Sequence, residues 1–335
     1  MTLSNLLRAL LALALVGAAT LAVAQAAAPG PAPIFVLNSL DADVSVIDAT
    51  TFRTLKRVPT GKEPHHLYLT PDEKSLIVAN AAGNSLTFLD PRSGDVQRTL
   101  RDIVDPYHLR FSPDMKWLVT AANRLNHVDI YRWQPEQSKP LALVKRIAAA
   151  KVPSHLAIDS RSSIVYVTLQ DSDELMAIEL ATQKPLWTVK VGKMPADLFL
   201  TADDRTLLIG MTGDKVVEAW DVSAAAPKLI KRIVTGAGAH AFRARGDKRH
   251  VFVSNRVANT ISLIDTHSLT VLSEMPAPGG PDCIELLADG RTLLVSARWA
   301  RKLSVIDTET GKMLRQVEVG RSPHGVWTLG HAPRQ

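Results

Sequence analysis

A seven-bladed all-β propeller is the fold this sequence predicts, and three observations predict it. A Pro-led segment recurs at Pro64, Pro106, Pro153, Pro195, Pro281 and Pro323, with Ala239 in the same place, at spacings of 42 to 47 residues. Each unit holds four short β-rich runs parted by turn residues, the pattern of a propeller blade. Helical periodicity is confined to an N-terminal stretch that precedes the first unit.

The strands follow in order. In the unit that begins at Pro64, the runs are Pro64 to Leu69, Leu76 to Asn80 and Ser85 to Asp90. Thr70-Pro71-Asp72 turns the chain between the first two, with Pro presetting φ for the second turn position. The third run returns as Val44 to Asp48, Ile261 to Asp265 and Leu303 to Asp307. A Thr/Gly turn then leads into a fourth run such as Met313 to Val319. The unit at Pro323 has chain for only one strand, and the missing three lie at the other end: Ile34 to Asn38, Val44 to Asp48 and Thr54 to Pro59. Gly325 to Leu329 is therefore expected to be the innermost strand of a blade begun near the N-terminus. That pairing closes the ring into four-stranded blades without exposed sheet edges.

These units resemble the YVTN-type seven-bladed propeller repeats of exported bacterial proteins. Tyr166-Val167-Thr168, Val253-Ser254-Asn255, the Val-Ile-Asp-like runs and the Gly-x-x-Pro lead into each blade carry the resemblance, over residues 34 to 329. It implies the fold and is nearly silent on function. Ala239, Tyr131 and Glu179 depart from the repeat's usual Pro or Asp.

Ahead of the repeats, Leu6 to Val23 is nearly continuous Leu, Ala and Val, with Arg8 near its start, and Ala22-Val23-Ala24 is a small-x-small cleavage pattern. Residues 1–24 read as a signal peptide, 25–33 as a linker and 34–330 as the propeller. The expected location is the periplasm or outside the cell, with no membrane span after cleavage, and the expected assembly is a monomer. At 46% hydrophobic and 21% charged, the chain of 335 residues has apolar surface enough for a core. Its lone Cys283 excludes an intramolecular disulfide and a Cys-rich zinc module. The formal net charge of +6 is scattered, with no basic run of five, so no nucleic-acid partner is expected.

The histidines carry the functional signal. After the seven starts, the first residue reads His65, Tyr107, Ser154, Ala196, His240, Asp282 and His324. The second reads His66, His108, His155, Asp197, Ala241, Cys283 and Gly325. Six of the 10 histidines fall on these sites, and the propeller connection brings them to one mouth of the central channel. Side-chain alternation along a strand predicts two distinct rows there. His240, Asp282, His324 and His65 fill four consecutive blades of one row, and His66, His108, His155 and Asp197 four of the other.

Three imidazoles with a carboxylate suit Cu, Zn or Fe, or the iron of a haem-type tetrapyrrole, because neutral imidazole is the commonest nitrogen ligand. Cys283 adjoins the first row as a possible thiolate, or as a small buried hydrophobe. The alternatives are a hydrogen-bonded polar channel lining, or a proton-transfer or anion-binding use. On the rim, Arg124, Arg298, Trp299 and Arg301 form a candidate grip for an anionic or planar ligand, or a docking point for a protein partner. Asn38, Asn80 and Asn255 read as turn chemistry, the recurrent Asp48, Asp90, Asp221, Asp265 and Asp307 as structural turn residues, and His127, His250, His267 and His331 as surface residues. Gly-x-Ser-x-Gly is absent.

Three functions follow. The first is an exported propeller that binds a metal or metallocofactor and handles it, similar in fold to the haem propeller of dissimilatory nitrite reductases. The second is a metal-free binding scaffold. The third is a lactonase-like, metal-dependent hydrolase or lyase.

Overall fold

A computed structural model describes residues 31–335. The segments read from the sequence as a signal peptide and most of a linker lie outside the described residues. Within them the chain forms seven four-stranded antiparallel sheets. Six sheets are built from consecutive strands. The seventh takes Pro323–Thr328 as its first strand, followed by Ile34–Asn38, Asp43–Ile47 and Thr54–Pro59. Phe35 faces Trp327 and Val36 faces Val326 in that join.

Strand chemistry follows radial position. Middle strands such as Leu76–Asn80 are buried throughout, which explains their continuous apolar runs. Outer strands such as Val96–Arg101 are mostly exposed and polar. Seven apolar clusters form the core, one between each pair of neighbouring blades. Ile34, Val36 and Ile47 of the closing blade, for example, pack on Leu294, Leu303 and Val305 of the blade before it.

Two recurrent polar devices fix the hairpins. Asp48, Asp90, Asp265 and Asp307 each accept backbone N–H bonds from the second and third residues after them, and Asp221 does so from Ser223. These are the turn roles the sequence indicates. The asparagines divide between two tasks. Asn84, Asn126 and Asn259 sit in the left-handed region, with φ of 46°, 55° and 60°, as turn chemistry expects. Asn38, Asn80 and Asn255 are instead buried strand ends whose amides donate across the hairpin to Ser45, Thr87 and Ser262.

The inner strands begin at Pro64, Pro106, Pro153, Pro195, Ala239, Pro281 and Pro323, the seven starts read from the repeat. The residue before each is left-handed: Glu63, Asp105, Val152, Met194, Gly238, Gly280 and Ser322. For β-branched Val152, with φ of 61°, this conformation is strained. Immediately after it the pairing register slips, as between Pro64 and His66 or Pro281 and Ile284. The chain therefore turns sharply and enters the channel through a bulge.

Candidate functional site in the channel

The bulge decides where the histidines go. In a regular strand His65 and His66 would point to opposite faces. Here their ring centroids lie 4.8 Å apart, and the two rows expected from alternation merge into one cluster. His65 contacts His324 at 3.6 Å between centroids and Tyr107 at 3.8 Å. His66 lies 4.3 Å from His108 and 5.1 Å from His155, and His155 lies 5.4 Å from His240. The cluster does not sit at an open mouth, as the sequence suggests. All eight candidate ligands are buried, with His66 and Asp197 the most accessible at 8%.

Asp282 anchors the rim side of the cluster. Its Oδ1 is 3.0 Å from His240 Nδ1 and 3.6 Å from His324 Nε2. Arg256 and Arg298 each ion-pair with it, at 2.7 and 2.9 Å. Burial alone would raise this carboxyl's pKa; Arg256, then His324 and His240, hold it well below the usual carboxylate range. The imidazoles are driven the other way. Burial, reinforced by neighbouring histidines, lowers His65, His66 and His155 well below the ordinary histidine value, and burial lowers His324 to about 3. The cluster thus holds Asp282 as a buried carboxylate among neutral imidazoles.

Several of those rings have a fixed tautomer and a nitrogen with no partner. His324 Nδ1 donates to the backbone carbonyl of His65 at 2.8 Å, which leaves the lone pair on Nε2, a buried atom with no hydrogen-bond partner. His155 Nδ1 contacts Ser154 Oγ at 2.8 Å, and Ser154 Oγ donates to Gln170 Oε1, so Nε2 again keeps the lone pair and has no partner. His66 Nε2, His65 Nδ1 and His108 Nδ1 are likewise buried without partners. Gly325 permits this approach: a Cβ there would lie 3.0 Å from the His65 carbonyl oxygen and 2.9 Å from Leu37.

Two groups bring one ligand atom per residue within 4.8 Å of one another: His65, His66 and His324, and His240, Asp282 and His324. His324 belongs to both. The sequence-derived second row divides. His66 joins His65 and His324, and His108 and His155 flank it. Asp197 accepts the backbone N–H groups of Leu198 and Phe242 at 2.9 and 3.0 Å instead.

Of the rim candidates, only Arg298 reaches the cluster. Arg124 pairs with Glu63 and Asp105 at 2.6 and 2.7 Å on the neighbouring blade junction. Trp299 is 58% exposed and stacks over Gly280, where a Cβ would meet its ring at 2.5 Å. Arg301 is an exposed turn residue with φ of 56°. Arg256, which the sequence places in the equivalent rim loop one blade earlier than Arg298 but outside the candidate grip, also reaches the cluster through Asp282. Cys283 Sγ lies 3.5 Å from His324 Nδ1, and burial and Asp282 raise its thiol pKa well above the ordinary value, so it is not a thiolate there. Two other histidines are not surface residues. His127 is buried beside Asp129, and His331 lines the channel cavity.

That cavity, of about 320 Å³, lies on the far side of the cluster from the rim. His66, His108 and His155 form one end, and Tyr68, Arg110, Phe242, Glu285, Trp327 and Arg334 lie further along the inner strands and C-terminal segment. Sequence reasoning missed these residues because it stopped at the first two positions of each strand.

The family model described as YNCE-like beta-propeller matches residues 1–334. The chain belongs to this family. The YVTN-type repeats read from the sequence agree with that membership. This YNCE-like propeller is 23% identical over 256 residues to YncE of Salmonella typhi, covering 73% of this chain and 71% of that protein. Among solved structures it is similar to the dihydro-heme d1 dehydrogenase NirN in complex with DHE, with a TM-score of 0.67 and 18% identity over 89% of this chain and 75% of that one. It is also similar to the periplasmic gluconolactonase PpgL of Pseudomonas aeruginosa, with a TM-score of 0.75 and 19% identity over 90% of this chain and 99% of that one. At these identities the likeness is one of fold. No helix among the described residues is long and apolar enough to cross a membrane.

Proposed function

We propose that this YNCE-like propeller binds one divalent first-row transition-metal ion inside its channel, through His324 and its neighbours. The supporting observation is the set of buried, neutral imidazoles whose free nitrogens converge without hydrogen-bond partners around one buried carboxylate. Leaving such atoms unpaired costs about 1–3 kcal/mol each. A metal that takes their lone pairs removes that cost. Nitrogen ligands around a tetrahedral ion sit about 3.4 Å apart, given metal–nitrogen bonds of about 2.1 Å. The groups found within 4.8 Å need small rotations to reach that distance. Because His324 is common to both groups, a single ion draws on one or the other.

The donor set, imidazole with one carboxylate, favours Zn, Cu, Ni or Fe over hard ions. A bare ion is the reading: the rings at the centre, His65 and His324, are 3.6 Å apart and leave no gap for a macrocycle between them. The reading is of a metal-binding protein exported from the cytoplasm, on the strength of Leu6 to Val23 and the cleavage pattern after it. A metal-dependent hydrolase or lyase is the second reading, favoured by the cavity that adjoins His66, His108 and His155.

Metal analysis of the purified protein, followed by titration of chelator-treated protein with Zn and Cu, tests the proposal. One equivalent is expected to bind. His324→Ala should abolish binding, Arg298→Ala should weaken it by mispositioning Asp282, and Arg301→Ala and exposed-site His267→Ala should leave it unchanged. Unaltered binding by His324→Ala would refute the assignment.

A further inference from the structure

We infer that the cavity beyond the histidines is a binding site for a small organic carboxylate with a planar apolar body, held by Arg110. The inference stands on the cavity itself and does not depend on an ion at the histidines.

Arg110 lies two residues after His108 on the same inner strand, Pro106–Phe111, and lines the cavity. Its Nε donates to the Leu156 carbonyl at 3.0 Å, and its guanidinium lies 4.9 Å from the Tyr68 ring centroid. Among the described residues no carboxylate pairs with it. A guanidinium fixed at Nε and by an aromatic face presents its remaining N–H groups as a fork, the geometry that matches a carboxylate.

The other acids of the cavity are already engaged. Glu285 is held by Arg243 and by Arg334, the latter at 2.5 Å. Asp197 accepts two backbone N–H groups. Glu285 thus faces Arg243 and Arg334; the charge of Arg110 partly offsets the burial that raises the Asp197 carboxyl, but the two form no ion pair, and the fork of Arg110 stays open to a ligand carboxylate. The walls supply the apolar complement: Tyr68, Phe242, Ile284 and Trp327. His66, His108 and His155, all buried, close the end, with unpartnered nitrogens at His66 Nε2, His108 Nδ1 and His155 Nε2. A volume of about 320 Å³ admits a ligand at the small end of the usual range for such pockets.

The C-terminal segment shapes the outer wall. Arg243 donates to the carbonyls of Ala332 and Pro333 at 2.6 and 2.9 Å, and Ala332 N donates to the Leu286 carbonyl at 2.8 Å. These bonds hold His331 and Arg334 against the cavity.

The test is calorimetric titration of the chelator-treated, full-length protein with benzoate. Saturable binding is expected, at least tenfold weaker in Arg110→Gln and unchanged in Arg124→Gln, whose side chain lies on the rim. Benzyl alcohol, the uncharged analogue, is expected not to bind, and sulfate is expected not to compete at equal concentration. If Arg110→Gln fails to fold, the wild-type protein still answers. Benzoate, and not benzyl alcohol, should raise the wild-type melting temperature in a concentration-dependent way. Equal benzoate affinity in Arg110→Gln, equal binding of benzyl alcohol, or a melting temperature indifferent to benzoate would each overturn the inference. Metal is absent throughout, so failure of the metal proposal leaves these outcomes unchanged.

Discussion

The outer hairpin turns and the channel start from the same repeat and use it in opposite ways. At the end of the third strand, Asp48, Asp90, Asp221, Asp265 and Asp307 fill equivalent positions with one residue type. Each makes bonds two or three residues away, so five of the seven blades solve the problem alone and in the same manner, with Tyr131 and Glu179 in place of the aspartate in the other two. At the start of the first strand the equivalent positions hold His, Tyr, Ser, Ala and Asp. Their contacts run from blade to blade, as from His240 to Asp282 and from His324 to His65. A repeat conserves its pattern where a need is local. It diversifies where seven copies meet on one axis, because there each residue is chosen against its neighbours rather than against its own strand.

The largest expected effect breaks the ring that brings those copies together. Deleting residues 320–335 removes Pro323–Thr328, the strand that joins Ile34–Asn38 and completes the circle. The truncated protein is expected to lose its cooperative melting transition altogether, as followed by circular dichroism. A sharp melt in the truncated chain would show that blade-to-blade contact is dispensable.

Acidification attacks the channel before the turns. The buried histidines have folded-state pKa values lowered from about 6.5 by desolvation. Their neutral form is the folded one, so their contribution is complete above the unfolded value and is lost as pH falls below it. Each such group costs up to about 1.4 kcal/mol per pH unit. The carboxylates at the turns, such as Asp265 and Asp307, are held low by Arg249 and Arg291 and lose their contribution only below about pH 4. Stability measured by denaturant titration should therefore fall steeply between pH 6.5 and 4, ahead of the carboxylate range. A flat profile over that interval would contradict the neutral-imidazole channel.

A single residue separates the regions next. Asp282→Ala removes the carboxylate that faces two arginines and two histidines, and should cost toward the lower end of about 3–5 kcal/mol, since both arginines keep some solvent contact. Asp307→Ala, in contrast, removes local turn bonds and a partly exposed ion pair with Arg291, and should lower the melting temperature by about 1–3 °C. Comparable losses from the two substitutions would erase the distinction between the channel and the turns.

Much of this molecule was legible in its sequence. The spacing of six prolines and Ala239 marks every inner-strand start, and the one-strand remainder at Pro323 matches the three-strand surplus before Pro64. Periodic hydrophobicity and turn residues are local properties, and local properties survive in a linear string. The crowding of histidines after those starts was legible too. What alternation suggested about them was not what formed. The left-handed residue before each start and the bulge after it turn both positions inward, so that His65 and His66 share one cluster and Asp197 turns to backbone amides instead.

The sequence by itself determined the blade count, the order of strands and the identity of the residues that gather on the axis. Only the tertiary structure decided that the histidines are buried rather than at an open mouth. It alone made Asp282, with Arg256 and Arg298, their anchor, and left Arg110 in the cavity without an ion pair among the described residues. The reason is physical. Burial, tautomer and charge pairing in a closed ring depend on partners dozens of residues away, and a strand's own sequence does not encode which neighbour the ring will bring to it.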